Sequence, residues 1–139
     1  EGEASEMITQ MLNTLLYTQA YSGSTTSHFK VVEKSRAYIN EHFSEPLTLE
    51  QLAQNANMSP FHFSRVFTAQ TGFTPHQYLI ATRLNSAKFL LKLPDIPVKE
   101  IAFGSGFNSE SSFCSTFRKW ENMTPSEYRQ HMMLSSSAT

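Results

Sequence analysis

The chain has 139 residues, of which 40% are hydrophobic, with a formal net charge of −1 and a single cysteine. These values indicate one small globular domain, or two that share a core, and they exclude a disulfide-stabilised fold and a strongly basic protein. No apolar run reaches the about 18 residues of a membrane span, and no signal peptide is visible.

The charges are unevenly placed along the chain. Three of the 12 acidic residues, Glu1, Glu3 and Glu6, precede residue 30, whereas all 11 Lys and Arg residues lie at or after it. The periodic part of the chain is therefore slightly basic, which is weak support for nucleic-acid binding. The single Cys114 fits a reducing cytoplasm, where we expect the protein to act.

Residues 1–29 differ in character from the rest of the chain. Apolar side chains within residues 5–21 recur on one helical stripe, which predicts an N-terminal amphipathic helix. The polar stretch 21–27 then has the composition of a linker. We interpret 1–29 as a linker and helix from an upstream region; packing of this helix on the body that follows is an equally supported alternative. Since the chain begins with Glu1, we expect it to be part of something longer.

Residues 30–74 form the first predicted unit. A helix over 30–44 is closed by Pro46, and Thr48 then caps a helix that starts at Leu49 and stops near residues 55–57. Ser59 and Pro60 start the next helix, which a left-handed Gly72 ends.

A connecting helix and a second unit follow. Thr74 and Pro75 open a long helix that extends over 75–93 and stops at Pro94. The second unit spans 94–134, with helices over 97–103, from 108 or 109 to 121, and from 124. Asn122 takes the place of Gly72 as a left-handed cap, and 135–139 are expected to form a frayed tail.

The two units are copies of one pattern. Leu49, Leu52, Ala53 and Met58 return 49 residues later, and Phe63, Phe67, Thr74, Pro75 and Tyr78 return 50 residues later, so one residue is inserted in the second copy. In each copy a small alanine lets two helices approach closely, and the second helix has an aromatic inner face. Its first turn and outer face are then uncovered, as a helix that enters a DNA groove requires.

The stretch from Val32 to Met132 resembles the DNA-binding domain of the AraC/XylS bacterial transcription regulators. The residues that carry the resemblance are Leu49, Leu52, Ala53, Met58, Ser59, Phe63, Arg65, Phe67, Gly72, Thr74, Pro75, Tyr78, Arg83, Leu84 and Ala87 in the first copy, and Ile101, Ala102, Gly106, Phe107, Ser112, Phe113, Phe117, Arg118, Lys119, Thr124, Pro125, Tyr128 and Arg129 in the second. The resemblance implies an all-α fold of two helix-turn-helix units in a homeodomain-like tandem, joined by a long helix.

The resemblance also implies which residues contact DNA. In the first unit these are Ser59, Pro60, Phe61, Ser64 and Arg65. Arg65 is the strongest candidate, because arginine can bond the O6/N7 edge of guanine in two places. Phe61 either touches thymine methyl groups or is an ordinary exposed aromatic residue.

The matching positions in the second unit are Asn108, Ser109, Glu110, Ser111, Cys114 and Ser115. Ser115 departs from the family's pattern, which commonly has arginine there. Glu110 accepts a bond from a cytosine amine or else repels phosphate. We therefore expect the first unit to contribute most of the specificity and the second to act as a clamp.

Further residues are predicted to contact phosphates: Thr48, Thr74, Arg118, Lys119 and Thr124. The three threonines are caps first, and their hydroxyl and backbone N–H groups are phosphate donors second. Arg83 is expected to be a structural ion-pair partner rather than a DNA contact.

No catalytic constellation, metal-ligand spacing or phosphate-binding loop is present, so we predict neither an enzyme nor a cofactor or metal. A reactive role for Cys114 lacks an activating partner in the sequence. The predicted partners are double-stranded promoter DNA, RNA polymerase and a second copy of the protein, which would form a homodimer through the upstream region. We predict no association with a membrane. The alternative function is a helical protein-interaction module that kept the fold and lost DNA affinity.

Overall fold

The computed structural model describes residues 26–137, and this part of the chain contains helices and no strand. The helices in chain order are α1 (Thr26–His42), α2 (Leu49–Asn55), α3 (Pro60–Thr71), α4 (Pro75–Leu91), α5 (Val98–Gly104), α6 (Glu110–Glu121) and α7 (Pro125–Ser137). The predicted all-α fold of two helix-turn-helix units and a long connecting helix is confirmed. The predicted helix over 5–21 lies outside the described residues.

The described part of the chain has two hydrophobic cores, and the boundary between them falls within α4. The first core collects residues from Val32 to Leu79, and the second collects residues from Ile80 to Tyr128. Helix α4 is therefore the last helix of one unit and the first helix of the next, which joins the two copies without a flexible linker.

The same aromatic arrangement forms the centre of both cores. Phe67 lies between Phe63 and Tyr78, with ring centroids 5.8 and 5.6 Å away. In the second unit Phe117 lies between Phe113 and Tyr128, at 5.7 and 5.5 Å. These edge-on and tilted contacts are favoured by the ring quadrupoles. They are the structural basis of the repeat spacing in the sequence.

The caps predicted from the sequence at Thr48, Ser59, Thr74 and Thr124 are present, and the structure adds a cap at Ser109. The side-chain oxygens of Thr48, Ser59, Thr74, Ser109 and Thr124 each accept a hydrogen bond from the backbone N–H three residues later. Helix α3 ends at Gly72 with φ 82°, and α6 ends at Asn122 with φ 64°. Gly and Asn are the residues that take this left-handed conformation most readily.

Several helix ends differ from the predicted positions. Helix α1 covers Thr26–His42 rather than 30–44, and the chain turns directly after it, where the N–H of Glu45 donates to the carbonyl of His42. The carbonyls of Phe43 and Glu45 in this turn accept bonds from Arg83. Helix α4 ends at Leu91, two residues early, because the N–H groups of Lys92 and Leu93 bond to carbonyls three residues back, in a tightened last turn before Pro94. The carbonyls of Leu91 and Leu93 accept bonds from Arg129.

The expectation of a frayed tail over 135–139 is wrong for its first three residues. Helix α7 continues through Ser137. Met132 packs on the second core, and no proline or glycine follows it to stop the helix.

Helix α5 covers Val98–Gly104, one residue later than predicted at each end, with Pro97 as its cap.

The first turn of α7 makes stability depend on pH. The backbone N–H of Thr124 donates to Glu127 Oε1 at 2.8 Å, and this bond holds the pKa of Glu127 below its ordinary value of 4.5. Folding thus favours the ionised form of Glu127. The stabilisation of the folded state that results is present above pH 4.5 and is lost as the pH falls through the lowered pKa.

We expect Glu127→Gln to test this dependence, since glutamine keeps the capping bond, as Gln51 and Gln77 do elsewhere, and removes the charge. The melting temperature of the wild type should exceed that of the variant at neutral pH. The difference should begin to shrink below pH 4.5 and disappear once the pH is below the lowered pKa of Glu127. A difference that stays constant from pH 7 to pH 3 would contradict the assignment.

Candidate nucleic-acid interface

Helix α3 has a buried aromatic face and an exposed polar face. Phe63 and Phe67 are fully buried in the first core, whereas Phe61 is 73% exposed. Of the predicted contact residues, Ser59, Pro60, Phe61 and Arg65 are exposed and Ser64 is half-buried. The five predicted residues thus lie at the start and on the outer side of one helix.

Phe61 and Arg65 contact each other across one turn of α3. The guanidinium carbon of Arg65 lies 5.6 Å from the centroid of the Phe61 ring. A cation–π contact at an exposed site contributes about 0.5–1 kcal/mol, so it restricts the arginine without fixing it. The guanidinium therefore stays close to the helix surface, with its N–H groups available to a ligand.

Helix α6 presents the same arrangement in the second unit. Phe113 and Phe117 are fully buried, and the predicted contact residues line the other side. Asn108, Glu110, Ser111 and Ser115 are exposed, and Ser109 and Cys114 are half-buried.

The two helices allow the inserted residue to be located. Both helices have 12 residues and begin directly after a capping serine, Ser59 or Ser109. Met58 immediately precedes the first cap, whereas Phe107 is separated from the second by Asn108. Asn108 is therefore the extra residue, and it lengthens the turn without changing the helix that follows.

The positively charged residues lie at different positions along the two helices. Arg65 is in the middle of α3, and its equivalent in α6 is Ser115. Arg118 and Lys119 are both exposed in the last turn of α6, where α3 has Thr68 and Ala69. Cations are favoured at a helix C-terminus by the helix dipole. The second unit thus keeps basic residues but moves them about one turn along the helix.

Cys114 is in an environment that lowers thiol reactivity. Burial raises the pKa of this thiol above its ordinary value of 9.0, and the carboxylate of Glu110 raises it further. The thiol is therefore protonated at neutral pH, which disfavours nucleophilic chemistry.

Three of the predicted residues border one surface depression in the first unit. Thr48 at the start of α2, Ser64 on α3 and Thr74 at the start of α4 line a cavity of about 260 Å³. The structure thus brings the two capping threonines next to the exposed face of α3.

The backbone N–H groups of the capping threonines are already used. Those of Thr48, Thr74 and Thr124 donate to Gln51, Gln77 and Glu127 at 2.8–3.0 Å. Each hydroxyl oxygen accepts one bond and keeps its own hydrogen. Each of these threonines has two donor groups, the backbone N–H and the hydroxyl, and the hydroxyl is the one that remains available to a phosphate.

Four of the basic residues have structural partners. Arg36 donates to Glu33 and to the hydroxyl of Tyr78, and Lys88 lies 3.5 Å from Glu121. Arg129 donates to the carbonyls of Leu91, Leu93 and Ile96.

Arg83 is structural, as expected, but it is not the ion-pair partner that we predicted, because it donates to two backbone carbonyls. Its donors bond to carbonyls because the chain after α1 leaves them without helical partners.

Sequence reasoning missed two exposed positions on α3. His62 and Ala69 lie on its outer side, and His62 also approaches His28 of α1 with a ring separation of 6.0 Å. The signal that identifies them is helical periodicity, since 61, 62, 65 and 69 form one stripe.

Within residues 26–137 no group of three metal-binding side chains is present. No helix in the same part of the chain is both long and apolar enough to cross a membrane.

A family model described as a helix-turn-helix domain matches residues 52–131, which include both α3 and α6. The C-terminal domain of AraT, a response regulator from Geobacillus stearothermophilus, superposes with a TM-score of 0.70 at 33% identity, over 73% of this chain and 84% of that one. The chain belongs to the AraC/XylS family of transcription regulators.

Other relatives agree with this assignment. The DNA-binding domain of AdpA, solved in complex with a target DNA, has a TM-score of 0.69 and 35% identity over 72% of this chain and 90% of that one. The helix-turn-helix regulator YijO of Escherichia coli is 42% identical over 111 residues, or 77% of this chain. PocR of Salmonella typhimurium is 35% identical over 107 residues, also 77% of this chain.

The chain spans 38% of the length of YijO and 35% of that of PocR. It therefore corresponds to the helix-turn-helix part of such regulators. Sequence-specific DNA binding by a transcription regulator is the function of this domain.

Proposed function

We propose that α3 and α6 are recognition helices that enter successive major grooves on one side of promoter DNA. The observation that carries this proposal is the equivalence of the two helices. Each has 12 residues, begins after a serine cap and presents its predicted contact residues away from an aromatic core. Two such helices on one rigid body match two grooves one helical turn apart.

The first recognition helix supplies the base-specific contacts. Arg65 bonds the edge of a guanine, and Phe61, next to it on the helix, touches the methyl group of a neighbouring thymine. Ser59, Pro60 and Ser64 complete the contact surface at the first turns of α3.

The second unit acts mainly as a clamp. Arg118 and Lys119 neutralise phosphates, and Asn108, Ser109, Glu110, Ser111, Cys114 and Ser115 form the groove-facing surface. The hydroxyls of Thr48, Thr74 and Thr124 donate to phosphates at the edges of the interface.

We propose the remaining partners by resemblance to the family. In the intact regulator, which we place in the cytoplasm, an upstream region senses a ligand or forms a homodimer. The DNA-bound domain then contacts RNA polymerase. These partners concern the whole protein, of which the described helices are the DNA-binding part.

Salt dependence tests the clamp. We expect the affinity for promoter duplex, measured by fluorescence anisotropy, to fall linearly with salt on a double-logarithmic plot. The slope should be about −0.9 per phosphate neutralised. Replacing both Arg118 and Lys119 with glutamine should make the slope shallower by about 2, since each removed phosphate contact reduces it by about 1.

The matched control is Lys34→Gln, which removes an exposed charge from α1. Lys34 lines a different depression, with Asn55 and Asn57, whose lining includes none of the predicted DNA contacts. The slope of the salt plot for Lys34→Gln should equal that of the wild type. A wild-type affinity that did not respond to salt would contradict the proposal and favour the protein-interaction module.

A further inference from the structure

The turn between α5 and α6 packs against the first unit. Gly106 in this turn has φ 100°, and a Cβ atom added to it would lie 2.6 Å from the carbonyl oxygen of Phe43 and 2.7 Å from Nε of Arg83. The Cα atom of Ser44 would be 3.0 Å away. We refer to Phe43, Arg83 and Gly106 as the inter-unit joint.

The equivalent turn in the first unit is not packed in this way. Asn57, 49 residues before Gly106, occupies the same place with φ 56° and is exposed. The turn itself therefore accepts a residue with a side chain. At Gly106 the larger φ and the close approach of the first unit exclude one.

Arg83 connects three parts of the molecule at the joint. It belongs to α4, its Nε donates to the carbonyl of Phe43 at 2.7 Å, and its Nη2 donates to that of Glu45 at 2.9 Å. It thereby holds the end of α1 against α4, and Gly106 lies against both Phe43 and Arg83.

The joint lies on the path between the two recognition helices. Helix α1 packs directly on α3, and Gly106 is four residues before the start of α6. A shift of the turn relative to α1 would therefore displace α6 relative to α3.

We propose that Arg83 and Gly106 are positioning residues that fix the placement of α6 relative to α3 and so select the spacing between the two DNA subsites. This inference rests on the proposed function of the two helices. Linked binding modules gain from joint engagement only if their geometry matches the two sites.

The first test needs no DNA. Nitroxide labels at Ala69→Cys on α3 and Ser112→Cys on α6, in a Cys114→Ser background, report the distance between the helices by pulsed electron resonance. The unaltered joint should give one narrow distribution. Gly106→Ala and, separately, Arg83→Met should broaden or shift it. Gly104→Ala is the matched control, because a Cβ there meets nothing within 4 Å.

The second test measures spacing selectivity in chains without labels. Duplexes carry both subsites at the natural spacing, at one base pair more or less, or the first subsite alone. Gly106→Ala and Arg83→Met should lose roughly tenfold or more on the natural spacing, because joint engagement is lost. Affinity for the first subsite should stay the same, and the preference for the natural spacing should disappear.

The outcomes separate the two proposals. A distance distribution or a spacing preference that is unchanged in folded Arg83→Met would overturn the positioning role, and Arg83→Met serves as the test if Gly106→Ala does not fold. If the joint variants broaden the distribution but the wild type binds every promoter duplex no better than random DNA, the proposed function fails and the joint stands as a structural device.

Discussion

Arg65→Ala is expected to remove most of the discrimination between the promoter site and random duplex. Arg65 is exposed in the middle of α3, and the Phe61 ring restricts its guanidinium to the outer surface of the helix. A bidentate bond from arginine to guanine is worth about 1–3 kcal/mol of discrimination, so affinity for the promoter site should fall roughly 5- to 150-fold. Affinity for random duplex should fall much less.

Two further variants identify the origin of the loss. Arg65→Lys keeps the charge but not the planar pair of donors, so it should lose specificity while retaining the salt dependence. Ser115→Ala, the matched change on α6, should have little effect, because the second helix lacks the arginine. The measurement is competition anisotropy with both duplexes. Equal losses on the two duplexes in Arg65→Ala would show that Arg65 contacts phosphate and reads no base.

The features that could be predicted from the sequence are those decided by local chemistry. Thr48, Ser59 and Thr74 satisfy backbone N–H groups within one helical turn. Gly72 and Asn122 end helices because of their own conformational preferences. The aromatic spacing of the repeat similarly fixes which side of α3 and α6 is buried.

The features that could not be predicted depend on residues far apart in the chain. Arg83 bonds to carbonyls about 40 residues away, and Arg129 bonds to carbonyls 33 to 38 residues away. These contacts lie at the ends of α1 and α4, where the observed bounds differ from the predicted ones. The need for glycine at 106 likewise arises from the carbonyl of Phe43, which no local pattern indicates.

The candidate site shows the same division. Periodicity assigns Phe61 and Arg65 to the outer side of α3, and the structure agrees. The use of the threonine N–H groups in capping boxes leaves only their hydroxyls for phosphate, a detail that depends on side-chain geometry. The number of basic residues also overstates how many are available to DNA, since Arg36, Arg83, Lys88 and Arg129 have partners within the fold.

Phe117→Ala should be among the most destabilising single changes in the chain. Phe117 is fully buried between Phe113 and Tyr128 in the second core. Truncation of a buried phenylalanine costs about 3–5 kcal/mol, through lost transfer free energy and the cavity that remains. A domain of this size has a free energy of unfolding of about 5–15 kcal/mol, so the variant should lose a large fraction of its stability.

The change should affect both units, because α4 contributes to both cores and cannot unfold in one alone. Urea titrations followed by the fluorescence of Trp120, which packs on the second core, and by helical circular dichroism should therefore shift together. Phe61→Ala is the control: this ring is 73% exposed and contacts Arg65 in a cation–π pair, so the change should cost about 1 kcal/mol or less. If the Trp120 transition moved alone while half of the helix signal remained, the two units would be independent folding units, and α4 would be a passive link between them.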